Sequence, residues 1–286
     1  MRGSIPTPGP HTVRVGGNTS CVELAAADGR RLILDAGTGL RHVGRAPEPL
    51  SASGADGADG AVPPLLVTHA HADHLHGFPF FAPLHADGAA LTVHAAPWVL
   101  DAVAAAATAL LSPPLFPIAI GAAPERVRFA PLGEPGAPME LGGFVVRTIE
   151  LSHPGGAAGF RIDDPLSGRS VAYLPDNELA AVEGVCGGRR TLLEAVADVD
   201  LLVHDATYLP AELPERRGWG HSSYAEAVRL AADAGARRLL LFHHAPERTD
   251  DQVERIGRIA AALGLAARGA PAVTVACERD EYVLAG

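Results

Sequence analysis

The chain has 286 residues, 48% of them hydrophobic, and a formal net charge of −10. That length fits one large domain or two small ones, and no apolar run reaches the roughly 18 uncharged residues of a membrane span or forms a signal-peptide core, so a cytoplasmic location is expected. The acidity argues against nucleic acid as the main partner, because phosphate-backbone binding needs a basic face; Cys21, Cys186 and Cys277 are too few and too scattered for a disulfide framework or a zinc ribbon.

Thr12-Val13-Arg14-Val15 reads as a short strand leading to the turn Gly16-Gly17-Asn18-Thr19-Ser20. Cys21-Val22-Glu23-Leu24 and Arg31-Leu32-Ile33-Leu34 read as paired strands about an Asp28-Gly29 hairpin turn, and Asp35-Ala36-Gly37-Thr38-Gly39 closes the second. Residues 47–64 are a low-complexity surface loop and not a linker between domains, because core strands flank them. The chain is therefore read as one domain over residues 1–286.

Leu65-Leu66-Val67 is a buried strand, followed by Thr68-His69-Ala70-His71-Ala72-Asp73-His74, which packs three imidazoles and a carboxylate into six residues. In an extended segment residues two apart point the same way, so His69 and His71 can share one cation while Asp73 and His74 turn toward a second. Imidazole nitrogen with carboxylate oxygen suits Zn²⁺, Mn²⁺ or Fe²⁺ better than Ca²⁺, whose ligands are nearly all oxygen. The bland alternative is a His-rich surface loop, but residue frequencies rarely produce such a pattern by accident.

Pro97-Trp98-Val99-Leu100 opens an alanine-rich helix running to about Leu111, and Ser112-Pro113-Pro114 ends it within an apolar loop over 112–124. The strand Val145-Val146-Arg147-Thr148-Ile149 leads to His153 in Leu151-Ser152-His153-Pro154-Gly155-Gly156. Alone, that histidine would more often be structural; the upstream cluster reverses the balance. Asp176, after Tyr173-Leu174-Pro175, is either a helix N-cap or a bridging carboxylate at a strand end. Leu201-Leu202-Val203 and Arg238-Leu239-Leu240-Leu241-Phe242 are strands, and Ser223-Tyr224-Ala225-Glu226 and Thr249-Asp250-Asp251-Gln252 are capping boxes starting helices that Gly235 and Gly264 can end. His243 and His244 compete for one ligand place, and His243 is preferred because it directly follows the strand. His11, His42, His76, His85 and His94 have no comparable context, and the arginine pairs at 189–190, 216–217 and 237–238 read as solvated surface.

The HxHxDH run, Gly77, His153, Asp176 and His243 together resemble the metallo-β-lactamase superfamily of metallohydrolases. Within it the chain is most similar to the phosphodiesterase branch: ribonuclease Z, the PhnP-type cyclic phosphodiesterases and the cyclic-nucleotide phosphodiesterases. The resemblance implies an α/β (α+β) fold, a four-layer αββα sandwich, which the repeated order of strands then helix suits. It implies two divalent metal ions, zinc first with manganese or iron as alternatives: His69, His71 and His153 would hold one, Asp73, His74 and His243 the other, and Asp176 would bridge them. Asp35 would be structural. Leu202-Val203-His204-Asp205-Ala206-Thr207-Tyr208 and Gly220-His221-Ser222-Ser223 are similar to two ribonuclease Z segments whose acidic residue and histidine form a proton-transfer pair, which here would be Asp205 and His221. His221, Asp205 and Asp73 are thus the expected catalytic residues; family members are often dimers, so the resemblance admits a homodimer, while the sequence itself does not disclose the oligomeric state.

The expected activity is hydrolysis of a small phosphodiester, a 3′,5′-cyclic nucleotide first and a cyclic ribose phosphate second. A water acidified between metals roughly 3.5–4 Å apart would attack phosphorus, and His221, oriented by Asp205, would protonate the leaving group. Ribonuclease Z-like RNA processing ranks lower, because the inserts at 47–64 and 112–124 are acidic and apolar instead of forming a basic arm. An acyl hydrolase of the lactonase, thioesterase or β-lactamase kind does not call for the Asp205–His221 pair. A non-catalytic, metal-stabilised binding or sensor domain is disfavoured by the filled ligand series.

Overall fold

The computed structural model describes residues 1–43, 62–86, 90–120, 125–184, 187–267 and 269–284; Cys186 and all but the last positions of the 47–64 loop lie outside the described residues. Two sheets are stacked face to face. The first has five strands in the order β1 (Val22–Ala25), β2 (Arg31–Leu34), β3 (Leu65–Val67), β4 (Leu91–Ala95) and β5 (Val127–Pro131), with helix α1 (Pro97–Leu110) connecting the last two. Its β1–β2 hairpin turns at Gly29, whose φ of 91° needs a residue without Cβ, and the remaining pairs are parallel.

The second sheet follows in the chain with β6 (Met139–Leu141), β7 (Phe144–Leu151), β8 (Ala157–Asp164), β9 (Arg169–Leu174), α2 (Gly188–Ala195), β10 (Leu201–Asp205), α3 (Tyr224–Asp233), β11 (Arg238–Phe242), α4 (Asp250–Ala266) and β12 (Ala272–Val275). Its order is β12-β11-β10-β9-β8-β7-β6, antiparallel as far as β9 and parallel from β9 to β12. Two antiparallel steps separate β7 from β9, so β7, β9, β10 and β11 all end at the same edge of the sheet.

The layer order follows from side chains alternating along each strand. On β9 Val171 and Tyr173 join the core between the sheets, while Ala172 and Leu174 join the core under α2, α3 and α4; on β10 Leu201 and Val203 oppose Leu202, and on β11 Leu240 and Phe242 oppose Leu239 and Leu241. Both faces of these strands are therefore buried, which is why they read as continuous apolar runs. Helix α1 covers the outer face of the first sheet through Val99, Val103 and Ala107. The αββα sandwich expected from the sequence is the observed architecture.

The capping boxes form as expected: Ser223 and Thr249 each accept the backbone N–H three residues on, while Glu226 and Gln252 reach back to the cap N–H. Two readings need correction. Thr12-Val13-Arg14-Val15 is a set of turns and no strand, because Asp250 takes the backbone N–H groups of Arg14 (2.8 Å) and Val15 (3.2 Å) that a sheet partner would otherwise satisfy. Gly264 does not end α4, which runs on to Ala266; it lies inside the helix where a Cβ would stand 2.7 Å from both Pro271 O and Val273 Cγ2. Close approach of the helix to β12 demands the glycine there. Gly235, with φ of 70°, does follow the end of α3. Among the described residues no helix is long and apolar enough to cross a membrane.

Gly264→Ala gives a clean test of that correction. Helix propensity alone favours alanine by about 1 kcal/mol, whereas overpacking against a backbone oxygen costs roughly 1–3 kcal/mol. The variant should melt below the wild type; a higher melting temperature would show that α4 has room to spare.

Candidate dinuclear metal centre and proton donor

The fully buried strand β3 delivers Thr68 and His69 to the shared edge of the sandwich, and one 3₁₀ turn over Ala72–His74 then folds Asp73 and His74 back toward it. His153 arrives two residues after β7, Asp176 two after β9, and His243 directly after β11. The seven side chains fall into two sets, His69, His71, His153 with Asp176 and Asp73, His74, His243 with Asp176, and within each set the ligand atoms lie within 4.8 Å of one another.

Asp176 divides its two oxygens between the sets. Oδ2 is 3.7 Å from both His69 Nε2 and His153 Nε2, and Oδ1 is 3.2 Å from His74 Nε2 and 3.3 Å from His243 Nε2. Asp73 Oδ2 closes the second set at 3.1 Å from His243 Nε2 and 3.5 Å from His74 Nε2. Burial pushes both carboxyls up, but the surrounding imidazoles, His74 and His243 foremost, outweigh it and hold them well below the usual carboxylate range.

The imidazoles are held by their other nitrogens, as ligating histidines commonly are. His74 Nδ1 is 2.8 Å from Asp35 Oδ2, His69 Nδ1 3.0 Å from Thr68 Oγ1, His153 Nδ1 2.9 Å from Gly220 O and His243 Nδ1 3.0 Å from Thr207 Oγ1. Four rings thus present Nε2, whereas His71 presents Nδ1, 3.0 Å from His153 Nε2. The buried atoms His69 Nε2, His74 Nε2 and Asp176 Oδ1 have no hydrogen-bond partner. Each would cost about 1–3 kcal/mol in that condition, and a divalent cation in each set would satisfy them together. The mixed nitrogen and oxygen donors, with two carboxylates to offset charge, fit zinc, manganese or iron.

The geometry separates His243 from its neighbour. His243 sits among the ligands with φ of 55°, its ring against Gly3, where a Cβ would come within 2.2 Å of Cε1. His244 is buried next to it but is absent from both sets, and burial pulls its imidazole well below its ordinary range. Asp35 is a positioning group: it accepts hydrogen bonds from the Thr68 backbone N–H (2.8 Å), the Thr68 hydroxyl (2.9 Å) and the Tyr173 hydroxyl (2.9 Å) besides His74. Of the five histidines given no role, none joins a set.

His221 and Asp205 meet as expected, Nδ1 to Oδ2 at 2.8 Å. A β-bridge between Tyr208 and Ser223 draws the two segments together. The His221 ring stacks on His243 with centroids 4.8 Å apart and interplanar angle 22°. Burial pulls the imidazole down, but Asp205, then Asp176 and Asp73, push it up to about 9. Asp205 Oδ1 also accepts from the Thr207 N–H (2.8 Å) and hydroxyl (2.7 Å), and that hydroxyl lies 3.0 Å from His243 Nδ1. Sequence reasoning missed Thr207 and Tyr173; the signal for Thr207 was its place two residues after Asp205. His221, Asp205 and His243 also lie within reach of one ion.

The pattern that defines the Beta-lactamase superfamily domain matches residues 30–244. The chain belongs to that superfamily, and is a metal-dependent hydrolase. It is 28% identical to a Bradyrhizobium diazoefficiens protein named ribonuclease Z, over 91% of this chain and 92% of that one. The fold is also that of the human short-form tRNase Z (20% identity, TM-score 0.62, covering 99% and 98% of the two chains) and of yeast PDE1 (14%, TM-score 0.65, covering 97% and 96%).

Metal analysis of the purified, reconstituted protein should find two divalent ions per chain. Asp73→Asn should weaken the second ion roughly tenfold or more while the first, on His69, His71 and His153, is retained. A single ion in fully active wild type would refute the two-set assignment.

Proposed function

We propose that the chain hydrolyses a small phosphodiester, a 3′,5′-cyclic nucleotide first and a cyclic ribose phosphate second. The observation that carries this reading is the Asp205–His221 pair, packed against the second ligand set with the His221 ring stacked on His243 and its Nδ1 held by the Asp205 carboxylate. Divalent ions held by the two sets would supply Lewis-acid charge for phosphoryl oxygens and a water acidified to near neutral pH. Asp176 and Asp73 fix where that charge sits. Asp205 holds His221 Nδ1, so Nε2 carries the proton that the departing alkoxide needs.

The substrate's size is inferred from charge. The chain carries −10 overall, and three arginines of the basic pairs are ion-paired: Arg189 bonds Asp233, Arg190 bonds Glu194 and Arg237 bonds Asp200. The charge of the two metal ions would make the pocket locally positive, enough for a small anion without a basic face. Ribonuclease Z-like processing of transfer RNA precursors is the second reading, favoured by the relative that matches nearly the whole chain. A hydrolysis panel of 3′,5′- and 2′,3′-cyclic nucleotides, a cyclic ribose phosphate, precursor transfer RNA, a lactone and a β-lactam decides. Small cyclic diesters should show the highest kcat/KM at physiological salt; precursor transfer RNA ranking first, and staying first in added salt, would establish the second reading instead.

His221→Ala should keep both metals yet lower kcat by roughly 10²- to 10⁴-fold on alkoxide leaving groups, with a smaller loss on a nitrophenyl diester. The acid form is the active one, so kcat/KM of the wild type should fall as pH rises through the His221 pKa. Against the pull of burial, Asp205 first, then Asp176 and Asp73, raise that pKa to about 9, and cations bound nearby would lower it. Metal loss, or equal defects on both leaving groups, would make His221 a ligand or a positioning residue.

A further inference from the structure

The side of the cleft marked by His221 is bordered by a loop that the mechanism leaves without a task. Trp219 there keeps 55% of its surface exposed, and the Arg216 guanidinium carbon lies 4.7 Å from its ring centroid. Trp98, by contrast, is partly buried, with its indole N–H on Ala157 O and its ring against the core.

The loop is fixed in place. Glu178, itself buried, accepts the backbone N–H of Gly218 (3.0 Å) and of Gly220 (2.9 Å), the two residues that flank the indole. Both glycines have left-handed backbones, φ 79° and 83°, which other residues adopt only under strain. Gly220 also touches the metal set: a Cβ there would stand 2.0 Å from His153 Nδ1. The exposed indole is therefore held one residue from the wall of the metal centre and two from the proton donor. Beyond His221, the half-buried Tyr208 sets its ring edge-on to the imidazole at 5.8 Å.

We propose that Trp219, backed by Arg216, is a stacking platform for the nucleobase of the substrate, so that nucleoside phosphodiesters are taken in preference to base-free ones. The proposal rests on the phosphodiesterase reading. A flat, pre-ordered aromatic with a cation on it is suited to a heterocycle, because every base has a π-face and little side-chain freedom is lost on binding. It also reconciles an acidic chain with a nucleotide substrate, since the metal sets would take the phosphate and dispersion would hold the base.

The test uses the metal-loaded full chain, with 3′,5′-cyclic AMP and the 3′,5′-cyclic phosphate of methyl riboside as base-bearing and base-free substrates. Trp219→Ala should raise KM for cyclic AMP roughly tenfold with kcat little changed, lowering the preference for the base-bearing substrate by the same factor; Trp219→Phe should restore most of it. Independently of turnover, AMP should quench the indole emission of the wild type but not of Trp219→Ala, where Trp98 remains, and ribose 5-phosphate should quench neither. An equal KM rise on both substrates, or no quenching by AMP, overturns the platform. If wild type hydrolyses neither diester the phosphodiesterase reading fails, and the AMP titration still decides whether the indole binds a base.

Discussion

One buried carboxylate organises the centre. Asp176 faces two sets of imidazoles with its two oxygens, and at 2% exposure it has no water to share its charge. A lone ion so placed would cost several kcal/mol, so the surrounding histidines and the cations they fit are a condition of the fold as well as of the chemistry. Strand β9 answers to the same need. Tyr173, three residues earlier and fully buried, points into the inter-sheet core to bond Asp35, and Asp35 in turn holds His74. The strand that brings the bridge to the site also fixes one of its partners.

A carboxylate orienting an imidazole occurs twice within the cleft, in Asp35–His74 and Asp205–His221, both at 2.8 Å. What distinguishes them is where the other nitrogen looks. His74 is wholly buried, and its Nε2 faces Asp73 and Asp176. The His221 side chain keeps 10% of its surface exposed, so a substrate oxygen can reach it. The same local device thus suits a ligand in one place and a proton donor in the other, through accessibility alone.

Much of this was legible before any coordinates. The HxHxDH run by itself names four candidate ligands, which the structure gathers into the two sets, because period two in an extended segment and the following turn are local properties. Capping boxes at Ser223 and Thr249 are equally local, and both formed. His153, Asp176 and His243 needed the family pattern, since each is a single residue at a strand end. What escaped depends on contacts distant in the chain. Gly264 looks like a helix stop until β12 is seen against it, and Thr12–Val15 looks like a strand until Asp250 claims its N–H groups. Tyr173 and Thr207 read as ordinary core and turn residues, because nothing nearby in sequence reveals that their hydroxyls meet Asp35 and Asp205.

The run Asp176-Asn177-Glu178 joins systems that could have been separate. Asp176 serves the ligand sets; Asn177 accepts the Ser152 N–H beside His153 and donates its own N–H to Asp205; Glu178 holds the loop before His221. Hinging that loop outward would break the hydrogen bonds that the buried Glu178 carboxyl accepts from Gly218 and Gly220, each worth about 1 kcal/mol. This wall of the cleft is therefore the one held against opening, and its hold lies outside the loop itself, on the side chain of Glu178.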